Sequence, residues 1–345
     1  MHDSCSVVTL PKSPIAMTSM SALGQPFLPD GVINIRKPAG WTSHDVVMYL
    51  RRFFGIPKIG HGGTLDPAAT GVLPVLIGKG TKLAPYLLEW EKEYAAVLRL
   101  GQTTDTQDAT GTILHETHNL NVSTEDILKV VSQFQGVIRQ IPPMFSAKKV
   151  AGQPLYKAAR KGQVIERQAR SVRIHQLEVV AIRAEEIHLR VVCSKGTYMR
   201  TLCADIGERL GVGGHLSQLE RVRVGPFHIR QALDLEAMKK KQWDEQWQAA
   251  FMDMDEVLGD IPVAAVSDVY CQRILHGTPV PCVAVRFEPG RGSGDLSRGQ
   301  LVRIKDERGS LLALGQIQRV GLPSRDEASV VAVKKLLVER ETVHG

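Results

Sequence analysis

The chain of 345 residues carries 43 lysines and arginines against 36 aspartates and glutamates, a formal net charge of +7. At 43% hydrophobic and 23% charged residues it has an ordinary globular composition, which excludes wholesale disorder and fibrous repeats, and its length permits two domains. No run approaches the ~18 consecutive apolar residues of a membrane helix, and the excess of base over acid points to a polyanionic partner.

Residues 1–29, rich in Ser, Pro, Met and Thr without periodicity, are expected to form a disordered leader. Gly31-Val32-Ile33-Asn34-Ile35 predicts a strand. Thr42-Ser43, followed by Val46, Val47, Leu50, Phe53 and Phe54, predicts a capped helix stopped by Gly55. Next comes Gly60–Gly71, GHGGTLDPAATG, a glycine-rich loop that is no P-loop, because no Gly-Lys-Ser/Thr closes it. Pro67 disfavours helical geometry at Asp66 and holds it extended, where the loop could present its carboxylate. A plain Asp-Pro turn is the commoner meaning of such a pair.

Strand character returns at Tyr94–Gly101, and the turn Asp108–Gly111 before Thr112-Ile113-Leu114 predicts a hairpin. Tyr94 alone reads more readily as core than as chemistry. Ser123 and Asp126 form a capping-box start for a helix with Ile127, Val130, Val131, Phe134 and Ile138 on one face.

Between positions 139 and 173 lie nine basic residues: Arg139, Lys148, Lys149, Lys157, Arg160, Lys161, Arg167, Arg170 and Arg173. Glu166 is the one acid there, so the segment carries +8 and the other 310 residues sum to −1. Met144, Phe145 and Tyr156 are interleaved, and Pro142-Pro143, Gly152 and Gly162 interrupt regular structure. A solvated basic face is the bland reading. A flexible, basic, aromatic-bearing insertion is what contact along an RNA backbone requires, and that reading is preferred.

Val172–Ile182 and Ile187–Cys193 predict paired strands. Met199, Leu202, Cys203, Ile206 and Leu210 then predict a helix with Gly211 as its C-cap. Arg200 falls in that helix's first turn, where a cation opposes the dipole, so a carboxylate partner is expected. The commoner situation is a surface arginine at a strand-to-helix turn.

Strands and helices mix without strict alternation, which predicts an α+β fold with a mixed sheet. After the acidic patch Asp253, Asp255, Glu256 and Asp260 the character changes. Short strand signals at Gln300–Ile304, Leu311–Gln318 and Val330–Val333 predict an all-β module over residues 260–340, with Phe287–Arg298 as a Gly/Ser/Arg-rich loop. Cys5, Cys193, Cys203, Cys271 and Cys282 show neither CxxC nor zinc-ligand spacing, which suits free thiols in a reducing, cytoplasmic setting.

Taken together, six segments resemble the bacterial tRNA pseudouridine-55 synthase family. They are INIRKPAGWTSHDVV (33–47), IGHGGTLDPAATGVLPVLIGKGTK (59–82), EKEYAAVLRLGQTTDTQDATG (91–111), IPPMFSAKKVAGQPLYKAARKG (141–162), CSKGTYMRTLCADIGERLG (193–211) and LERVRVGPF (219–227). The likeness runs from Gly31 to Phe227 and weakens beyond residue 260.

The resemblance implies a pseudouridine synthase catalytic domain over residues 30–255 and a small PUA-like domain over residues 260–340. It implies isomerisation of a T-loop uridine of tRNA, at position 55, to pseudouridine, without cofactor or metal. By motif, Asp66 would be the essential carboxylate and Arg200 its partner. Tyr94 would stack on the target base, with proton transfer as a second role open to it. Tyr198 and Leu219 would wall the uracil pocket, and His61 would contact the RNA or hold the opened loop. Lys148, Lys149, Arg160 and Lys161 in the 139–173 insertion would grip the tRNA. No obligatory protein partner is expected, since guide-RNA-dependent relatives of this fold lack the insertion and work with partner proteins, and a monomer is expected because no large apolar helix face is left without an obvious core role. The rival reading is a catalytically silent RNA-binding or tRNA-folding protein on the same scaffold.

Overall fold

The computed structural model describes residues 28–144, 149–150, 153–154, 165–235, 245–281, 285–288, 297–318 and 329–338. Strand β1 (Gly31–Lys37) is buried at every position but Arg36, as befits a strand covered on both faces. Helix α1 (Ser43–Phe54) opens on a capping box: Asp45 N–H donates to Thr42 Oγ1 (3.0 Å) and Thr42 N–H to Asp45 Oδ2 (2.8 Å). Gly55 ends it in the left-handed region at φ +68°. Strands β2 (Ile59–His61) and β3 (Thr70–Ile77) pair antiparallel and bracket the glycine-rich loop.

After α2 (Ala84–Glu89) comes β4 (Lys92–Leu100). Gly101, at φ +86°, turns the chain out of the main sheet. The predicted hairpin therefore forms between β5 (Gln102–Thr104) and β6 (Ile113–Glu116), not on the Tyr94 strand. Helix α3 (Thr124–Ser132) has the expected Ser123–Asp126 capping box but stops before Phe134. Gly136 (φ +97°) then starts β7 (Gly136–Gln140), so Ile138 reaches the same core from a strand rather than from the helix.

In the basic segment β8 (Lys149–Val150) pairs with β9 (Gln153–Pro154). Strands β10 (Arg170–Arg183) and β11 (Glu186–Cys193) form the predicted antiparallel pair. Helix α4 (Met199–Arg209) is capped by Leu210, with Gly211 one residue on at φ +76°, the position where glycine is favoured. Strand β12 (Gly214–Val224) follows, then β13 (Phe227–His228), β14 (Leu233–Asp234), α5 (Glu245–Ala250), β15 (Phe251–Asp253) and α6 (Met254–Val257).

These strands build one eleven-stranded sheet in the order β14-β1-β3-β12-β4-β11-β10-β7, with β2, β13 and β15 attached to β3, β12 and β1. The β1–β14 and β3–β12 pairs are parallel and the other pairs antiparallel, so the sheet is mixed, as expected. One core packs α3 and α4 on the sheet through Leu98, Ile127, Leu189 and Leu202. A second packs α1 and α5 on it through Ile33, Leu50, Val75 and Trp247. Leu28, in the expected leader, is buried in that second core, so the fold begins before residue 30. Residues 1–27 lie outside the described residues.

The C-terminal part forms a separate six-stranded sheet: β16 (Val263–Val266), β17 (Val280–Pro281), β18 (Val285–Glu288), β19 (Leu301–Lys305), β20 (Leu311–Ile317) and β21 (Ser329–Leu336). It also contains helix α7 (Asp268–Leu275), which strand signals alone did not announce. Cys271 and Ile274 of α7 close the core formed by Ala264, Val302 and Ile304. Phe287 and Glu288, expected in a loop, belong to β18, while 289–296 lie outside the described residues. The two sheets share apolar contacts, with Leu314 and Leu337 buried beside Val32, Leu83 and Leu87.

Candidate active site

The Asp66 loop is held rigidly from several directions. Ser43, the first residue of α1, accepts from Leu65 N–H (2.9 Å). Gly40 N–H donates to Pro67 O (2.9 Å), and Ala69 N–H to Asp66 O (3.1 Å). The fully buried Lys37 donates from Nζ to the carbonyls of Pro38, Trp41 and Pro67 at 2.8, 2.6 and 3.1 Å. Burial lowers that ammonium to about 8, with the Asp66 charge pulling the other way. Gly71 closes the loop at φ +102°, where a Cβ would strike the backbone of Arg221 at the β3–β12 contact.

Arg200 provides the carboxylate partner expected of its position. Its Nε lies 3.0 Å from Asp66 Oδ2 and its Nη2 donates to Oδ1 at 3.3 Å, a two-toothed grip. Its Nη1 donates to Thr106 O (3.3 Å) and lies 3.7 Å from Asp108 Oδ2. The Arg200 side chain is 5% exposed, whereas that of Asp66 is 41% exposed and faces the cleft. Burial lifts the Asp66 carboxyl above the usual range; Arg200 pulls it down without cancelling that, and Asp108 adds to the rise.

The cleft in front of Asp66 has a volume of about 530 Å³ and is lined by Tyr94, Tyr198, Leu219 and Arg221 besides the ion pair. Tyr94, on β4, is 9% exposed. Tyr198 is the N-cap of α4 and is clamped by the buried Gln140: its N–H donates to Oε1 (3.0 Å) and its carbonyl accepts from Nε2 (3.2 Å). Arg170 and Lys195 also line the cleft and are exposed, Lys195 donating from Nζ to Glu89 Oε1 at 2.6 Å.

Five predicted residues, Asp66, Tyr94, Tyr198, Arg200 and Leu219, thus share one cleft. His61 does not line it. It ends β2, and its Nδ1 accepts from Gly63 N–H at 3.4 Å, beside the loop rather than in front of Asp66. Lys149 is described for its backbone alone, and Lys148, Arg160 and Lys161 lie outside the described residues.

Sequence reasoning missed Arg221, Lys37, Lys92, Asp108 and Gln140. Arg221 is fully buried and donates from Nε to Val72 O (2.7 Å), from Nη1 to Thr64 O (3.3 Å) and from Nη2 to Gly63 O (3.1 Å). Lys92 Nζ donates to Leu88 O (2.6 Å) and Trp90 O (2.5 Å), and burial lowers it to about 8. The one available signal was Arg221's place within the strand sequence LERVRV (219–224), where an inward cation needs partners. Among the described residues no group of three His, Cys, Asp or Glu could hold a metal ion. No described helix is long and apolar enough to cross a membrane.

Residues 51–199 match the family described as TruB family pseudouridylate synthase (N terminal domain), and residues 200–261 match the tRNA pseudouridylate synthase B C-terminal domain. Among relatives, tRNA pseudouridine synthase B of Geobacter sulfurreducens is 42% identical over 277 residues, covering 80% of this chain and 90% of that protein. The protein of the same name from Pseudomonas putida is 40% identical over 294 residues, covering 84% of this chain and 92% of its own length. Among solved structures, a Cbf5-Nop10-Gar1 complex aligns with a TM-score of 0.69 at 30% identity, covering 90% of this chain and 86% of that one. An H/ACA RNP bound to a substrate RNA containing 2'-deoxyuridine aligns equally well at 28% identity, covering 90% and 86%. With both family regions matched in order and relatives this similar along most of their length, the chain belongs to the tRNA pseudouridine synthase B family.

Proposed function

We propose that this protein is a tRNA isomerase that converts the T-loop uridine at position 55 to pseudouridine. The observation that carries the reading is the Arg200–Asp66 pair on the wall of a cleft otherwise lined by Tyr94, Tyr198 and Leu219. A uracil stacked inside RNA cannot be reached, so the nucleotide is flipped out at a cost of a few kcal/mol. Aromatic and apolar walls offset that cost by stacking on the extruded base.

The reaction breaks the N1–C1′ bond, turns the uracil, joins C5 to C1′ and then releases the C5 proton. Asp66 supplies the carboxylate, by attack on the substrate or by removal of the C2′ proton. Arg200 holds that carboxylate in place and favours its ionised form. The Lys37 cage and Ser43 keep the loop from yielding while the base turns.

The same reading gives the 139–173 segment the task of gripping the tRNA through Lys148, Lys149, Arg160 and Lys161, and the C-terminal sheet, over residues 260–340, a PUA-like role on the acceptor stem. The catalytic domain spans residues 30–255, extended by Leu28. It acts as a monomer with no cofactor, metal or obligatory protein partner, in the cytoplasm that its free, buried Cys193, Cys203 and Cys271 suit.

The test uses a tRNA transcript tritiated at uracil C5, with purified protein and no additives. Wild type releases tritium to water and Asp66→Asn does not, while both bind tRNA, because phosphate contacts dominate affinity. Equal release by the two proteins overturns Asp66 as the reacting carboxylate, and release by neither overturns the isomerase.

A further inference from the structure

Pro142 and Pro143 cannot donate to a strand ladder, and β7 stops short of them at Gln140, the point where the basic segment leaves the sheet. The chain rejoins the sheet at Arg170, the first residue of β10 and the direct partner of Gln140 across the strand pair. Gln140 is 1% exposed, and both ends of its amide go to one residue: Tyr198 N–H donates to Oε1, and Nε2 donates to the Tyr198 carbonyl. Tyr198 is the N-cap of α4, where Ser, Thr, Asp or Asn normally accepts from the first turn, and it makes no such side-chain bond. The start of this helix is held from outside instead. The same Tyr198 carbonyl accepts from Leu202 N–H at 3.0 Å, and the Thr201 hydroxyl lies 3.4 Å from Ile141 O. Arg200 thus stands between two residues anchored to the end of β7, while its own guanidinium grips Asp66.

We propose that Gln140 is a positioning residue for the catalytic pair: it ties the first turn of α4, and with it the Arg200 grip on Asp66 and the Tyr198 wall of the cleft, to the joint where the basic segment meets the sheet. The inference rests on the pseudouridine reading and deepens it. Gln140 does not itself line the cleft, so it acts through the backbone it clamps. The first turn of a helix lacks internal partners for its N–H groups and depends on outside ties. Without the clamp the turn that carries Arg200 shifts, and a misplacement of ~1 Å costs about 10²-fold in rate. The consequence is electrostatic as well as steric. The charged groups acting on Asp66 are Arg200 from α4, Asp108 from the turn after β5 and Lys37 from β1. Lys92 and Tyr94 of β4, Arg221 of β12, Arg170 of β10 and Lys195 line the same cleft. Of all these, Arg200 is the one whose helix turn Gln140 holds. It pulls the Asp66 carboxyl down, so a loosened grip lets that carboxyl rise.

The experiment is single-turnover pseudouridine formation at saturating tRNA across a pH series, with wild type, Gln140→Met, Gln140→Asn, Arg200→Met and the double variant Gln140→Met/Arg200→Met. Gln140→Met keeps the length of the side chain and removes both polar ends. Its rate is expected to fall about 10-fold or more, while tRNA affinity, set by phosphate contacts, is unchanged. Its acid limb moves to higher pH, in the same direction as that of Arg200→Met. In the double variant the limb coincides with that of Arg200→Met, because the route from Gln140 to the carboxylate is already cut. Gln140→Asn keeps the amide one methylene short and moves the limb the same way by less.

A folded Gln140→Met whose acid limb stays at the wild-type pH makes Gln140 a brace for stability alone. A double variant whose limb moves beyond that of Arg200→Met puts the influence of Gln140 on a group other than Arg200. Either result overturns the proposal, as does a Gln140→Met that loses tRNA affinity but keeps its saturated rate. Circular dichroism shows which variants fold, and Gln140→Asn carries the limb test if Gln140→Met does not. Wild type that forms no pseudouridine refutes the isomerase reading itself, so the two failures are distinguishable.

Discussion

Arg200 reaches Asp66 from the second residue of a helix, with its Nε 3.0 Å from Oδ2, in the turn where the helix dipole least favours a cation. The position is costly unless a carboxylate answers it, and the carboxylate that does so lies 134 residues earlier in the chain. Arg200→Met leaves Asp66 and Asp108 without their shared cation. We expect the single-turnover rate to fall at least about 10²-fold while tRNA affinity, set by phosphate contacts, is unchanged. Arg200→Lys keeps the charge but loses the two-toothed grip, and falls between.

The pH dependence follows from the same cluster. Burial raises the Asp66 carboxyl above the ordinary value of about 3.9, so its active, ionised form is lost at a higher pH than for a solvated aspartate. Below its folded value the rate falls tenfold for each pH unit, about 1.4 kcal/mol apiece. Arg200 pulls the carboxyl down, so Arg200→Met moves this acid limb to higher pH. Asp108 pushes it up, so Asp108→Asn moves the limb to lower pH. A single-turnover pH–rate series on the three proteins checks both signs, and movement of both limbs in one direction contradicts the assignment.

The α1 boundaries were readable from residues because Thr42, Asp45 and Gly55 act within one turn of themselves. The Arg200 partner was anticipated in kind because a helix dipole is local, but only the fold could say that Asp66 supplies it. Arg221, Lys37 and Gln140 escaped notice because what pairs with them is backbone or a distant turn. Arg221 bonds carbonyls of Gly63 and Thr64 that lie 158 and 157 residues away, and a carbonyl leaves no mark in a sequence. The hairpin differs from the sequence expectation for a local reason: Gly101 at φ +86° ends a strand that apolar pattern alone would continue. The resemblance gives His61 contact with the RNA or a hold on the opened loop, and the fold puts it beside that loop.

Gly71 separates two kinds of glycine requirement. Its φ of +102° disfavours a side chain, and a Cβ there also meets the Arg221 backbone. Gly40 has a similar φ of +81° with nothing within 4 Å of an added Cβ. Gly40→Ala is expected to cost about 1–2 kcal/mol, the strain of the left-handed region alone. Gly71→Ala adds overpacking at the β3–β12 contact, for a total of about 3 kcal/mol or more. Urea denaturation of both variants checks the difference, and equal losses would show that the β3–β12 contact yields freely.

The basic segment offers a prediction that depends only on charge. Lys148→Ala/Lys149→Ala removes two of nine cations in a stretch carrying +8. If both meet phosphates, the slope of log affinity for tRNA against log salt becomes shallower by about 2. Arg52→Ala, remote from that segment in sequence, is expected to leave the slope unchanged. Titrations at four salt concentrations decide it, and an unaltered slope in the double variant removes these lysines from the interface.

Asp255 joins the two sheets. Its Oδ1 accepts from Arg303 Nη1 at 2.8 Å and its Oδ2 from Lys305 Nζ at 2.5 Å, both cations belonging to β19. Arg303 also donates to the carbonyls of Ile261 (2.8 Å) and Gly259 (3.3 Å), so one guanidinium stitches the connecting turn to the C-terminal sheet. The Arg303 side chain is 10% exposed and that of Asp255 34%, which places the pair between a surface bridge and a buried one. Asp255→Ala leaves Arg303 buried without its counter-ion, at a cost of about 2 kcal/mol. The apolar contact of Leu314 and Leu337 with Val32 and Leu83 persists, so the C-terminal sheet stays attached but loosens first. Hydrogen exchange is expected to accelerate in β19 and β20 while β4 and β12, which carry Tyr94 and Arg221, keep their protection. Pseudouridine formation at saturating tRNA then holds its rate, and the apparent affinity for full-length tRNA drops relative to an isolated T-arm stem-loop. Equal affinity losses for both RNAs would place the effect of Asp255 in the catalytic cleft instead of the C-terminal sheet.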